Sequence, residues 1–190
     1  REMLEAKEKL TVDDFKEMLS DQNSMLARSF TPDILAELKT VQGDETYSKA
    51  VQLLSNWDGT MAADQVAPLL FEKTYHNLIS VLLKDDLGEE LFQEYYKNTA
   101  LSRNFIDDFW KTKDPYWCDD ITTLDRVETF GDVVRKSFDE TLAQLNKELG
   151  SNMDNWTWGS VHRVAFNHQM GGVALLDKVF GLNRGPYPIG

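Results

Sequence analysis

Cysteine is almost absent from this 190-residue sequence. Cys118 stands alone, so an intrachain disulfide and a thiolate metal cluster are both excluded. A single thiol fits a cytoplasmic protein well and an exported bacterial protein that does without disulfides almost as well. No stretch of about 18 apolar residues occurs, and no basic segment leads into an apolar one, so neither a membrane span nor a signal peptide is expected. Cations are scarce: 20 Lys and Arg face 32 Asp and Glu, for a net charge of −12. Such an acidic chain lacks the basic footprint that phosphate binding requires and is repelled by anionic lipid. Internal repeats, low-complexity tracts and flexible linkers are missing as well. With 42% hydrophobic and 11% aromatic residues, the chain is still able to build a core.

Helical signals dominate up to about residue 150. Thr11 is a candidate N-cap with Asp13 and Asp14 in the first turn, followed by Phe15, Met18 and Leu19, and predicts a helix over 12–20. Thr31-Pro32 repeats the pattern of an N-cap followed by proline, ahead of Ile34, Leu35 and Leu38, with Gly43 as the stop. Tyr47, Val51 and Leu54 continue at helical spacing to the turn Asn56-Trp57-Asp58-Gly59. From 65 to 84, Val66, Leu69, Leu70, Tyr75, Leu78, Ile79 and Leu82 mark one broad apolar face, and Pro68 sits harmlessly in the first turn. Shorter helices are expected over 89–96 and 102–110, then a loop or single turn over 114–120. The longest helix is expected over 129–149, where Val134, Phe138, Leu142, Leu145 and Leu149 recur and Gly150 caps. Beyond Gly150 the glycines and prolines predict a partly extended ending, with helix confined to pieces such as 173–180. The chain therefore divides into a helical region, 1–150, and a Trp/His/Gly-rich segment, 151–190.

That last segment concentrates Trp156, Trp158, His162 and His168, yet each constellation in the chain has a plainer explanation than catalysis. His162 and His168 share a face only if the backbone is extended, and the remaining histidine, His76, lies on a core helix, so no zinc set is formed. Ser160 and His162 are two residues apart without the Gly-x-Ser-x-Gly elbow. The adjacent pairs Asp13-Asp14, Asp85-Asp86, Asp107-Asp108 and Asp119-Asp120 diverge on either helix or strand and make caps and solvated faces, not acid–base dyads. Asn56-Trp57-Asp58-Gly59 fails as a calcium loop because Leu54 and Val66 or Ala67 occupy ligand positions; a turn with an anchoring tryptophan remains. Cys118, flanked by acids, has no cause for a depressed pKa.

Three segments taken together carry a resemblance. Ser55-Asn56-Trp57-Asp58-Gly59, then Trp156-Thr157-Trp158-Gly159 with His162, Phe166 and His168, then Asn183-Arg184-Gly185-Pro186-Tyr187-Pro188-Ile189-Gly190 resemble, in order and spacing, the C-terminal half of the beta chain of the penicillin acylase family of N-terminal nucleophile hydrolases. The resemblance implies a mainly α fragment, an amphipathic helical array with a Gly/Pro-rich, partly extended end, cut from an αββα enzyme that matures by self-cleavage. It also implies hydrolysis of linear amides to a carboxylic acid and an amine. In such enzymes an N-terminal serine attacks while its own amine acts as base and backbone N–H groups with an asparagine hold the oxyanion. Here Arg1 occupies the first position, and the family's oxyanion asparagine and arginine lie upstream of the matching segment, so the isolated chain is expected to be inactive. No catalytic, cofactor-binding or metal-ligating residue is assigned, and no cofactor is expected. The partners implied are the remainder of the acylase, meaning the alpha chain and the N-terminal part of the beta chain, and a small-molecule amide. Neither nucleic acid nor a membrane span is expected. Family resemblance points to a periplasmic or secreted protein. The competing expectation is a non-enzymatic, acidic, all-helical interaction or scaffold domain.

Overall fold

The computed structural model describes residues 2–181 and 183–190, and is mainly helical with one two-stranded sheet. Arg1, discussed above, and Leu182 lie outside the described residues. The order is α1 (Glu2–Glu5), α2 (Val12–Leu19), α3 (Met25–Leu38), α4 (Glu45–Ser55), α5 (Ala67–Tyr96), α6 (Thr99–Thr112), a 3-10 turn (Pro115–Cys118), α7 (Phe130–Leu149), a 3-10 turn (Met153–Asn155), α8 (Trp158–Val161), β1 (Arg163–Phe166), a 3-10 turn (Gln169–Gly172), α9 (Ala174–Phe180) and β2 (Arg184–Pro188).

Local capping starts most of the long helices. Thr11 and Asp14 form a capping box on α2, and Thr129 and Asp132 form another on α7, with the Asp132 amide 3.3 Å from Thr129 Oγ1. Asp44 caps α4 through the Tyr47 amide at 2.8 Å, and Asn98 caps α6. Gly150 ends α7 at φ +86°, where glycine carries no Cβ penalty.

α3 begins about two turns earlier than Thr31-Pro32 suggests. Its N-cap is Ser24, whose hydroxyl accepts from the Ala27 amide at 3.1 Å, and Pro32 stands inside the helix. An interior proline removes one backbone bond and costs about 3 kcal/mol. The burial of Ala27 and Phe30 ahead of it offsets that cost: Phe30 stacks on Trp110 at 4.3 Å and meets Tyr75 edge-on at 5.6 Å. Gly43 lies beyond the Lys39 C-cap; a side chain there would run into the Tyr47 ring.

The longest helix is α5, not α7. Gly88, at φ +70° and ψ 166°, breaks it into two pieces, so the helix expected over 89–96 exists as the part beyond a kink, which the Lys84–Glu89 ion pair at 2.5 Å spans. The first piece has more than one apolar face. Phe71, Thr74, Asn77 and Leu83 are buried along with Leu69, Leu70, Leu78, Ile79 and Leu82, because α3, α4, α6 and α7 surround it. Against α7 it presents a polar seam: Asn77 Nδ2 donates to Thr141 Oγ1 at 3.0 Å, and the hydroxyls of Thr74, Ser137 and Thr141 donate to carbonyls one turn back. These hydroxyls meet their hydrogen-bonding needs within their own helix. They let the two helices pack closely without an orphaned polar group. Val134, Phe138 and Leu145 are buried as their spacing predicts, while Leu142 and Leu149 are partly covered.

Candidate functional site

The three sequence segments, up to 135 residues apart, converge at one end of the helical body. The turn at Trp57-Asp58-Gly59 is the first part. Trp57 Nε1 donates to Thr60 O at 2.8 Å, and Asp58 accepts from the Thr60 amide at 2.9 Å, which holds its carboxyl below the usual range. Gly59, at φ +91°, turns its carbonyl to the Ser24 amide at 2.9 Å, and the Met61 amide donates to Gln22 O at 2.9 Å. The turn thus clasps the start of α3, and the tryptophan anchors it as expected.

The segment 156–162 docks beside it. Trp156 is fully buried, with Nε1 donating to Gly150 O at 2.8 Å. The Trp158 amide donates to Gln65 O at 2.8 Å, and the Gly159 amide to Ala63 O at 2.7 Å. At Gly159 an added Cβ would lie 2.7 Å from Pro188 Cβ and 2.9 Å from Ala63 O, so glycine is required by close approach and not by backbone angle. The tail closes the arrangement: the Ile189 amide donates to His162 O at 3.1 Å, and Gly190 lies against Gln22 and Met61. β1 and β2 pair antiparallel, with Arg163 opposite Pro188 and Val164 opposite Tyr187, and an irregularity between Val164 and Phe166.

The polar groups gathered here are engaged in holding the backbone. His162 stacks on Trp158 at 4.3 Å and places Nδ1 3.2 Å from Ile189 O. Ser160 Oγ donates to Thr157 O at 2.6 Å, so serine and histidine serve different partners. His168 is separate and exposed; its Nδ1 accepts from the Met170 amide at 3.1 Å, and its own amide donates to Asn183 Oδ1 at 3.0 Å. His76 belongs to α5 but points outward, with Nδ1 2.6 Å from Tyr96 Oη and Nε2 3.8 Å from Glu72. Burial pushes the Glu72 carboxyl up, and the nearby His162 opposes that rise only in part. Trp158 Nε1 is buried without a partner among the described residues, a loss of about 1–3 kcal/mol. Among the described residues no group of three or more His, Cys, Asp or Glu side chains is placed to hold a metal ion.

Asp13 and Asp14 separate as their spacing implies. Asp14 completes the α2 cap and pairs with Lys7, while Asp13 pairs with Lys16. Asp120 pairs with Lys136 at 2.8 Å, whereas Asp85 accepts from the Ile121 amide at 2.9 Å. Cys118 is buried, and desolvation followed by the charges of Asp114 and Asp132 pushes its thiol up to about 11.

A sequence model of the penicillin amidase family matches residues 1–190, a span that takes in all three converging segments. The chain belongs to the penicillin amidase family. No curated protein sequence matches it. Membership in the penicillin amidase family associates the chain, at the level of the family, with acylase-type amide hydrolases. Sequence spacing missed the partners of the converging segments. Gln22, Ala63, Gln65 and Gly150 contribute only backbone carbonyls or an ordinary amide side chain, and such groups leave no pattern in a sequence.

Proposed function

We propose that this chain is the helical support of a penicillin amidase-type acylase that cleaves linear amides to a carboxylic acid and an amine, and that residues outside the chain perform the chemistry. The family match over 1–190 carries the reaction class. The engagement of Ser160, His162 and His168 with backbone groups supports the division of labour, because a hydroxyl donating to its own helix and an imidazole bound to a carbonyl are not poised as nucleophile and base.

The C-terminal excursion supports the same reading. Val161 at the end of α8, Phe166 on β1, and Val173, Leu175, Val179 and Phe180 on α9 and its approach are all exposed within twenty residues, and the two-stranded ribbon among them is marginal by itself. So many large apolar side chains left exposed in one segment support its being an interaction site. In this proposal the remainder of the acylase covers it, and the converging segments fix the angle at which the excursion leaves the helical body.

The test is hydrolysis of chromogenic phenylacetyl and fatty-acyl anilides by the pure chain, by the intact acylase and by its His162→Ala variant. The pure chain is expected to turn over neither substrate. The variant acylase is expected to lose stability or maturation while correctly processed molecules keep their turnover. Activity of the pure chain, or a soluble and processed His162→Ala enzyme without activity, would overturn the proposal.

A further inference from the structure

A second surface lies far along the chain from the converging segments. Residues 119–128 connect the 3-10 turn at Pro115–Cys118 to α7, and they form an ordered loop built around a buried carboxylate. Glu128 is 6% exposed and accepts from Thr123 Oγ1 at 2.8 Å, Arg126 Nε at 2.9 Å and the Asp120 amide at 3.1 Å. Asp120 accepts from Thr122 Oγ1 at 2.6 Å and from Lys136, and the Ile121 amide reaches Asp85. A loop secured in this way is rigid before it meets anything, which lowers the entropic cost of binding.

Its apolar side chains nevertheless point to water. Leu124 is 95% exposed, Val127 69% and Ile121 54%. The surroundings are acidic. The loop carries four carboxylates against one cation, Arg126, which is already paired with Glu128. Asp85 and Asp86 approach from α5, where the charges of Asp85 and Asp119 act on Asp86. One Asp119 oxygen is buried without a partner among the described residues. Beside the loop, between α5 and α7, runs a groove of about 370 Å3 lined by Asp85, Asp120, Glu140, Asn77 and Gln144; its lysines, Lys84 and Lys136, are tied to Glu89 and Asp120.

We propose that the loop 119–128 is a docking surface for a cationic amphipathic protein segment. The partner's apolar side chains pack on Ile121, Leu124 and Val127, and its lysines or arginines meet the carboxylates of the loop, of Asp85 and Asp86, and of the groove. Charge decides the occupant: an acidic or neutral apolar segment would bring like charge, or no compensating charge, to an excess of carboxylates. The surface does not depend on amide hydrolysis.

The experiment measures fluorescence anisotropy of a labelled leucine–lysine helical peptide of about 14 residues with the full chain. A leucine–glutamate peptide of the same pattern is the control. Saturable binding is expected for the lysine peptide alone, weakening as salt rises from roughly 0.05 to 0.3 M. Leu124→Ser is expected to weaken it about tenfold, and Phe166→Ser on the C-terminal excursion to leave it unchanged. Leu124 is almost fully exposed, so its replacement leaves folding intact, which far-UV circular dichroism verifies. Absence of saturable binding, equal binding of the glutamate peptide, or binding abolished by Phe166→Ser and untouched by Leu124→Ser would each overturn the proposal.

Discussion

Gly159→Ala is a severe test of the convergence, because it adds a single methyl group where two backbone segments meet. The new Cβ would stand 2.7 Å from Pro188 Cβ, 2.9 Å from Ala63 O and 3.0 Å from Ala63 Cβ, whereas carbon atoms pack at about 3.5–4.0 Å. A backbone carbonyl cannot rotate away, so α8 must move off the 63–65 segment or Pro188 must shift. Overpacking of this kind costs about 1–3 kcal/mol. Loss of the Gly159–Ala63 hydrogen bond, 2.7 Å long, adds about 1 kcal/mol. Alanine's helical preference over glycine returns about 1 kcal/mol. The net expectation is a loss of about 1–3 kcal/mol, which at an m-value of about 2 kcal/mol/M lowers the urea midpoint by roughly 0.5–1.5 M. Equilibrium unfolding followed by tryptophan fluorescence measures it, and limited proteolysis is expected to cut residues 161–190 sooner. Gly172→Ala is the control, since nothing lies within 4 Å of its Cβ position and its φ is ordinary. A Gly159→Ala midpoint equal to that of the parent, or equal damage from Gly172→Ala, would refute the close-approach reasoning.

Trp156→Ala is expected to cost about 3–5 kcal/mol in the same unfolding assay, because it empties a fully buried indole site and orphans the Gly150 carbonyl. Acid sensitivity follows from Asp120 and Asp132, both held down to about 2, Asp120 chiefly by Lys136 and Asp132 chiefly by Thr129. Their folded pKa values lie below the unfolded one, so their stabilisation is complete above about pH 4 and is lost as pH falls through 2. Discounted for solvent screening, each contributes about 1 kcal/mol, and Asp132→Asn is expected to flatten the acid limb of a stability-versus-pH curve. Cys118, with its thiol pushed up to about 11 and 4% exposed, is expected to resist iodoacetamide in the native state and to react on unfolding, as mass spectrometry would show.

Elements were legible wherever a cap and an apolar period lie within a few residues of each other. The α2 cap at Thr11, the start of α7 near residue 129, the α4 periodicity through Tyr47 and Leu54, and the stop at Gly150 all appear where local spacing puts them. The start of α3 was obscured because Thr31-Pro32 imitates a helix N-terminus so well. The competing signal was present in Ala27, Phe30, Ile34 and Leu38, spaced by three and four, but only the contacts of Phe30 with Trp110 and Tyr75 give it the energy to carry a proline. The enclosure of α5 was obscured for a similar reason. Thr74 and Asn77 lie outside the apolar set that marks the expected face, and it is Ser137 and Thr141 of α7, placed against them, that account for their burial.

By itself the sequence determined that the chain is mainly helical, where most of its helices begin and end, and which family it resembles, because caps and periodicity are relations among residues a short count apart and the order of motifs is read directly along the chain. Only the tertiary structure decided that those motifs form a single seam, in which Gly59 clasps the start of α3, Gly159 admits Ala63 and Pro188, and His162 lies between Trp158 and Ile189. The physical reason is that the seam is made largely from backbone carbonyls and close approaches. Any residue can supply a carbonyl, so nothing in the sequence marks the ones chosen until the chain has folded around them.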